Sequence, residues 1–198
     1  TLGSATVICT DKTGTLTENR MSLARLYLLS TDKTFEWSEN LNEEERKLIE
    51  IAMWASEPIP FDAMEVALHQ AYTETITDDE RKNYKLVKEY PLGGKPPMMT
   101  HVFEDASSNR IVAAKGAPEA LISVSGLTED EINKVHEAIK LMAADGHRVL
   151  GVAVSDFKGN NYPEKQQELK FQFKGIVAFY DPPKKNIQKV LKDFTDAG

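Results

Sequence analysis

The stretch Ala5-Thr6-Val7-Ile8-Cys9-Thr10-Asp11-Lys12-Thr13-Gly14-Thr15-Leu16-Thr17 decides how the rest of the chain is read. Its first half is a short β-branched run that gives way at once to polar residues, the pattern of a buried strand delivering a loop at its carboxyl end. Ligands gather at that edge in open α/β sheets. A carboxylate placed there, Asp11, can attack a phosphoryl group and form an aspartyl phosphate. Lys12 adds positive charge, and Gly14 permits a tight path whose backbone amides line phosphate oxygens. Asp11-Lys12-Thr13-Gly14 is also a turn sequence, so the tetrapeptide alone leaves a plain turn open.

Outward from this stretch, Met21 to Leu29 reads as a strand. Asn42, followed by Glu45 and then Leu48, Ile49, Ala52 and Met53, reads as the N-cap of an amphipathic helix. A second helix is expected from Asp62 to Tyr72. Strands follow at 85–90, 98–104 and 110–114, the last two joined by the Ser107-Ser108-Asn109 turn, which makes an antiparallel meander. Pro118 to Val124 is a short helix. Thr128 with Glu131 forms a capping box for a longer one ending near Gly146. Further strands are expected at 148–154 and 171–179. Pro182-Pro183 then stiffens a turn into a helical tail over 184–194.

Composition narrows the function. A formal net charge of -7 argues against a nucleic-acid partner, which would need clustered Lys and Arg. With 41% hydrophobic and 28% charged residues the chain is expected to fold as a globular protein. No apolar run reaches membrane-spanning length. The single cysteine, Cys9, is expected as a buried packing residue in a reducing compartment. The four histidines, at 69, 101, 136 and 147, have no metal-ligand spacing and stand beside no cysteine cluster, so they read as incidental. The chain begins with Thr1, carries no signal peptide and ends on Thr195-Asp196-Ala197-Gly198, a helix end awaiting a strand, and is expected to be an excised piece.

The full run Asp11 to Thr17 after a strand resembles the phosphorylation signature of the P-type ATPases, within the haloacid-dehalogenase-like superfamily. The related phosphatases carry a second Asp two residues after the nucleophile as general acid and base. Here that position is Thr13, so the phosphoenzyme should persist. The resemblance implies Asp11, Lys12 and Thr13 as the catalytic set, with Asp11 and the Thr13 carbonyl helping to hold Mg²⁺.

Further motifs resemble the same family in the same order. Lys115-Gly116-Ala117-Pro118-Glu119 looks like its nucleotide-pocket lysine motif; Gly116 would let the backbone approach a ligand, and Lys115 would reach the adenosine and phosphates. A surface lysine before a Pro-started helix is the plain alternative. Phe61-Asp62-Ala63-Met64-Glu65-Val66-Ala67-Leu68 looks like the segment whose glutamate, here Glu65, faces adenine, although Asp62 and Glu65 also make a helix-capping pair. Tyr90-Pro91-Leu92-Gly93-Gly94-Lys95 stands where relatives place an aromatic platform and basic residues: Tyr90 can stack on the base or pack in the core, and Lys95 can replace missing charge. Arg148 falls where an arginine reaches the nucleotide phosphates. Asp181-Pro182-Pro183-Lys184 looks like the hinge, where Asp181 meets ribose or the closing strand.

The resemblance implies an α+β fold, a twisted antiparallel sheet flanked by helices, with partial haloacid-dehalogenase-like α/β segments at both termini. Residues 1–19 and 181–198 would be phosphorylation-domain segments and 20–180 the nucleotide-binding domain. It further implies ATP and Mg²⁺ as cofactors. As partners it implies the rest of a membrane-bound cation pump, favoured as calcium-type, comprising the remaining phosphorylation domain, actuator domain and membrane helices. The chain is expected on the cytoplasmic side of a plasma or inner membrane, as a monomer that binds nucleotide without turning over. Catalysis would need a second carboxylate loop and a further lysine beyond Gly198. Two rivals are a haloacid-dehalogenase-like phosphatase, disfavoured by Thr13, and a docking module that has lost nucleotide affinity.

Overall fold

Alternating burial organises the molecule. The computed structural model describes residues 7, 9–38, 40–76 and 78–196, without the side chains of residues 12 and 13. Seven strands, β1 (Ser22–Leu28), β2 (Lys33–Glu36), β3 (Tyr84–Gly93), β4 (Met98–Asp105), β5 (Arg110–Gly116), β6 (Arg148–Ser155) and β7 (Phe171–Tyr180), form one sheet in the order β2-β1-β7-β6-β5-β4-β3. Every neighbouring pair is antiparallel. Because side chains alternate across a strand, Ala113, Val152, Val177 and Phe179 enter one core, while Val112, Ala114, Ala153 and Ala178 enter another.

Helices α1 (Glu43–Trp54) and α2 (Ala63–Thr75) cover the first face, and α3 (Pro118–Val124) and α4 (Glu129–Ala144) the second. Their starts follow from the sequence. Asn42 and Thr128 each accept from the third helical amide while Glu45 and Glu131 reach back, so both capping boxes are complete. This is the flanked antiparallel sheet expected from the sequence.

The chain enters and leaves through adjacent strands. Before β1 and after β7 the two segments continue side by side: Thr17 bridges Pro183, Glu18 N–H donates to the Pro182 carbonyl at 2.9 Å, and Lys184 N–H donates to the Leu16 carbonyl at 2.9 Å. Asp181 ties the crossing, its carboxylate accepting from the Thr17 hydroxyl at 2.6 Å and the Arg20 amide at 3.1 Å. Beyond the crossing, the tail forms α5 (Ile187–Asp196), where Leu191 and Phe194 stay 47% and 38% exposed.

The amino-terminal strand is corrected in part. Ala5, Thr6 and Ile8 lie outside the described residues; Val7 and Cys9 belong to no strand, and both are exposed. Cys9 is therefore no packing residue here. A β-branched run becomes a buried strand only where neighbours cover it, and no strand among the described residues lies beside this one.

Candidate functional site

The last turn of α1 and the first turn of α2 converge over the ends of β4 and β5. Ser56, just past α1, donates its hydroxyl to the Ala52 carbonyl at 2.9 Å and accepts from Lys115 Nζ at 2.8 Å. Lys115 stands near the end of β5, 4% exposed, in an ion pair with Glu65, itself 5% exposed. Burial dominates the Lys115 ammonium and draws its pKa below the ordinary lysine value, while the Glu65 carboxylate pushes it back up. The plain alternative of a surface lysine is thereby excluded.

Asp62 caps α2 alone, its carboxylate accepting from the Met64 and Glu65 amides at 2.9 and 3.4 Å, and Glu65 does not complete a capping box with it. The Glu65 side chain turns inward to Lys115 and also accepts from the Glu57 amide at 3.4 Å. Its second oxygen, Oε2, is buried with no hydrogen-bond partner among the described residues. A buried acceptor left open is costly unless something supplies a donor.

Arg148, at the exposed start of β6, lines a cavity of about 360 Å³ with Asn19, Met21, Phe61 and Asp62. The cavity therefore joins the segment entering β1 to the first turn of α2, and its volume suits a small molecule, whose clefts run from about 300 to 1,000 Å³. A larger cavity of about 720 Å³ opens beside α1, lined by Leu28, Lys47, Trp54 and Arg110. Its lining includes none of the expected site residues, and the buried charged pair, not volume, locates the candidate site.

Other expected residues fall elsewhere. Tyr90 packs into the second core, 5% exposed, with its hydroxyl donating to the Pro163 carbonyl at 2.7 Å and Lys88 Nζ 4.9 Å from its ring centre. The core alternative therefore holds, and the ring offers no open face to a base. Lys95 is exposed in the β3–β4 turn. Gly116 gives close approach, but to the chain itself: a Cβ there would lie 2.5 Å from both the Pro97 carbonyl and Met98 Cα. Asp181 contacts the entering segment through Thr17 and Arg20. Asp11 is exposed and leads into a single π-helical turn, Lys12–Leu16, against which Lys184 Nζ donates to the Gly14 carbonyl at 2.8 Å. The side chains of Lys12 and Thr13 lie outside the described residues.

Comparison with known proteins identifies the family. The family description "P-type ATPase, cytoplasmic domain N" matches residues 59–186, which hold Glu65, Lys115, Arg148 and Asp181. The chain belongs to the P-type ATPases. A calcium-transporting ATPase 1 of Bacillus cereus is 29% identical over 220 residues, covering 100% of this chain and 24% of that protein. A calcium-transporting ATPase of Bacillus subtilis is 27% identical over 239 residues, covering 100% and 27%. A potassium-transporting ATPase alpha chain 2 of Cavia porcellus is 29% identical over 246 residues, covering 100% and 24%. The chain thus spans about a quarter of the length of the curated relatives it matches. No helix among the described residues of this P-type ATPase domain is long and apolar enough to cross a membrane.

The sequence reading passes over Ser56 and gives His101 no role. His101 is fully buried and its Nδ1 lies 2.9 Å from the Ser56 carbonyl, so Ser56 holds the histidine through its carbonyl and the lysine through its hydroxyl. Neither residue belongs to a local motif, and only the folding of α1 over β4 and β5 reveals them.

Proposed function

We propose that this domain binds ATP between Lys115, Glu65 and Arg148, and that residues 20–180 act as the nucleotide-binding unit of a cation pump. The observation that carries this reading is the buried Lys115–Glu65 pair with Glu65 Oε2 left open. A purine amino group is a donor of the kind that oxygen lacks. The Lys115 ammonium and the Arg148 guanidinium supply positive charge for ribose and phosphate oxygens. With its net charge of -7, the domain would otherwise repel a polyanion, so affinity must come from these few placed cations.

In this reading residues 1–19 and 181–198 belong to the phosphorylation domain. The exposed apolar side chains of α5 suit a helix completed by further chain. Closure about the paired segments at Thr17 and Pro183 carries ATP to Asp11. A carboxylate oxygen of Asp11 attacks the γ-phosphorus in line, the bond to the β–γ bridging oxygen breaks, and ADP leaves with that electron pair. Mg²⁺, when bound, neutralises phosphate charge. The exposed Asp11 carboxylate and the Thr13 carbonyl are the hard oxygen donors it requires, and so small a protein share suits an ion that arrives with phosphates and keeps waters. In the parent protein the phosphoenzyme drives cation movement across a membrane, with this domain in the cytoplasm, and the names of the relatives favour a calcium-type pump.

Incubation with γ-labelled ATP and Mg²⁺, followed by acid quench, tests the division of labour. The chain should retain nucleotide before the quench and carry no acid-stable label after it, whereas the parent pump should be labelled unless Asp11→Asn is present. Label that survives Asp11→Asn in the parent would place the nucleophile elsewhere.

A further inference from the structure

We propose that Glu57, Glu89 and His101 form a binding site for a transition-metal dication, with zinc the best match. The three ligand atoms lie within 4.8 Å of one another, although they come from the α1–α2 connection, β3 and β4. Glu89 and His101 are direct partners in the β3–β4 register and therefore share a face of the sheet. Glu57 closes over them from the helical layer.

The histidine shows that the cluster is aimed at something. A backbone carbonyl only accepts, so the bond to the Ser56 oxygen places the proton on Nδ1 and leaves the Nε2 lone pair available. Nε2 is fully buried with no hydrogen-bond partner among the described residues, and the Glu57 carboxylate, at 3.9 Å, is beyond hydrogen-bonding reach. Burial, the largest influence, also draws the His101 pKa down, which keeps the imidazole neutral, the form that binds metals. A ligating imidazole whose other nitrogen donates to a carbonyl is the usual supporting arrangement around a bound metal.

One imidazole nitrogen with two carboxylate oxygens suits zinc, cobalt or manganese, whereas Mg²⁺ and Ca²⁺ prefer all-oxygen shells. Bonds of about 2.0–2.2 Å set tetrahedral donors about 3.4 Å apart, so the cluster must contract. Glu89 is exposed and Glu57 partly so, which leaves both free to swing toward the fixed imidazole. A water completes the fourth position. The charged groups facing His101 from the packed elements are Glu57, Glu89 and Lys115, and Glu65 offsets the last. Ser56 links the two sites, so the ligand His101 and Lys115 are separated by a single residue. This revises the reading of the histidines as incidental for His101 alone.

The test titrates Zn²⁺ into the chain carrying Cys9→Ser, which removes the exposed thiol, against a chromophoric chelator and without nucleotide. One equivalent should bind with submicromolar affinity. His101→Gln should weaken it at least 100-fold, and Glu57→Gln or Glu89→Gln each about 10-fold. In parallel, Co²⁺ added to protein with a native histidine should broaden amide signals centred on Ser56, Glu57, Glu89 and His101, a readout that needs no variant to fold. The proposal is overturned by the absence of stoichiometric binding, by equal affinity in His101→Gln, or by broadening centred on His136 or His147.

Discussion

Replacing Lys115 by methionine should cost the domain about 3–5 kcal/mol of stability and abolish measurable nucleotide binding. The side-chain volume is nearly kept, but Glu65, 5% exposed, would hold an unpaired carboxylate in the interior, and Ser56 would lose its donor. Lys115→Met combined with Glu65→Gln separates the two effects. With both charges gone, most of the lost stability should return, because the larger penalty comes from the widowed charge and not from absence of the pair. Nucleotide binding should not return, since the ammonium is still missing. Thermal unfolding and calorimetric titration of the three proteins read the two quantities separately. Recovery of binding in the double variant would show that Lys115 serves only to neutralise Glu65.

The second large effect lies far from the charged pair. Gly175 faces Leu28 across the β1–β7 ladder, and a Cβ on it would fall 2.0 Å from the Tyr27 carbonyl oxygen and 3.1 Å from Leu48 Cδ2. The obstacle is backbone, so no rotamer change relieves it. Strand β1 must move away from β7, at the pair through which the domain is entered and left. Gly175→Ala should therefore cost at least about 3 kcal/mol, above the common range for overpacking. In a domain with the ordinary ~5–15 kcal/mol of stability this is a large share. The melting temperature should fall sharply, while protein that remains folded should bind nucleotide as before. A melt unchanged within error would mean that the two strands do not approach so closely in solution.

Much of the fold was readable because its signals are local. Asn42 with Glu45 and Thr128 with Glu131 mark helix starts through contacts three residues apart, and both boxes form. The strands of the meander were legible from alternation and the Ser107-Ser108-Asn109 turn. Strand β2 was not, because Lys33-Thr34-Phe35-Glu36 is short and polar and its turn carries no glycine; Asp32 takes the left-handed conformation there instead, at φ 52°. Val7 and Cys9 misled in the opposite way, since β-propensity cannot tell whether neighbouring strands exist to cover them. At the candidate site, motifs singled out Glu65 and Lys115, which the fold pairs. Tyr90 stayed ambiguous because only tertiary packing decides which face an aromatic joins. Ser56 and His101 were invisible because their partners lie 59 and 45 residues away in sequence.

The most direct test of the account is a titration of the isotopically labelled chain with ATP, followed through backbone amide shifts. Saturable perturbation should centre on Ser56, Glu65, Gly116 and Arg148, leave Tyr90 and the residues around Trp54 and Arg110 nearly unmoved, and vanish in Lys115→Met. Saturable shifts centred on the larger cavity beside α1, or a Lys115→Met variant that titrates like the parent chain, would contradict it.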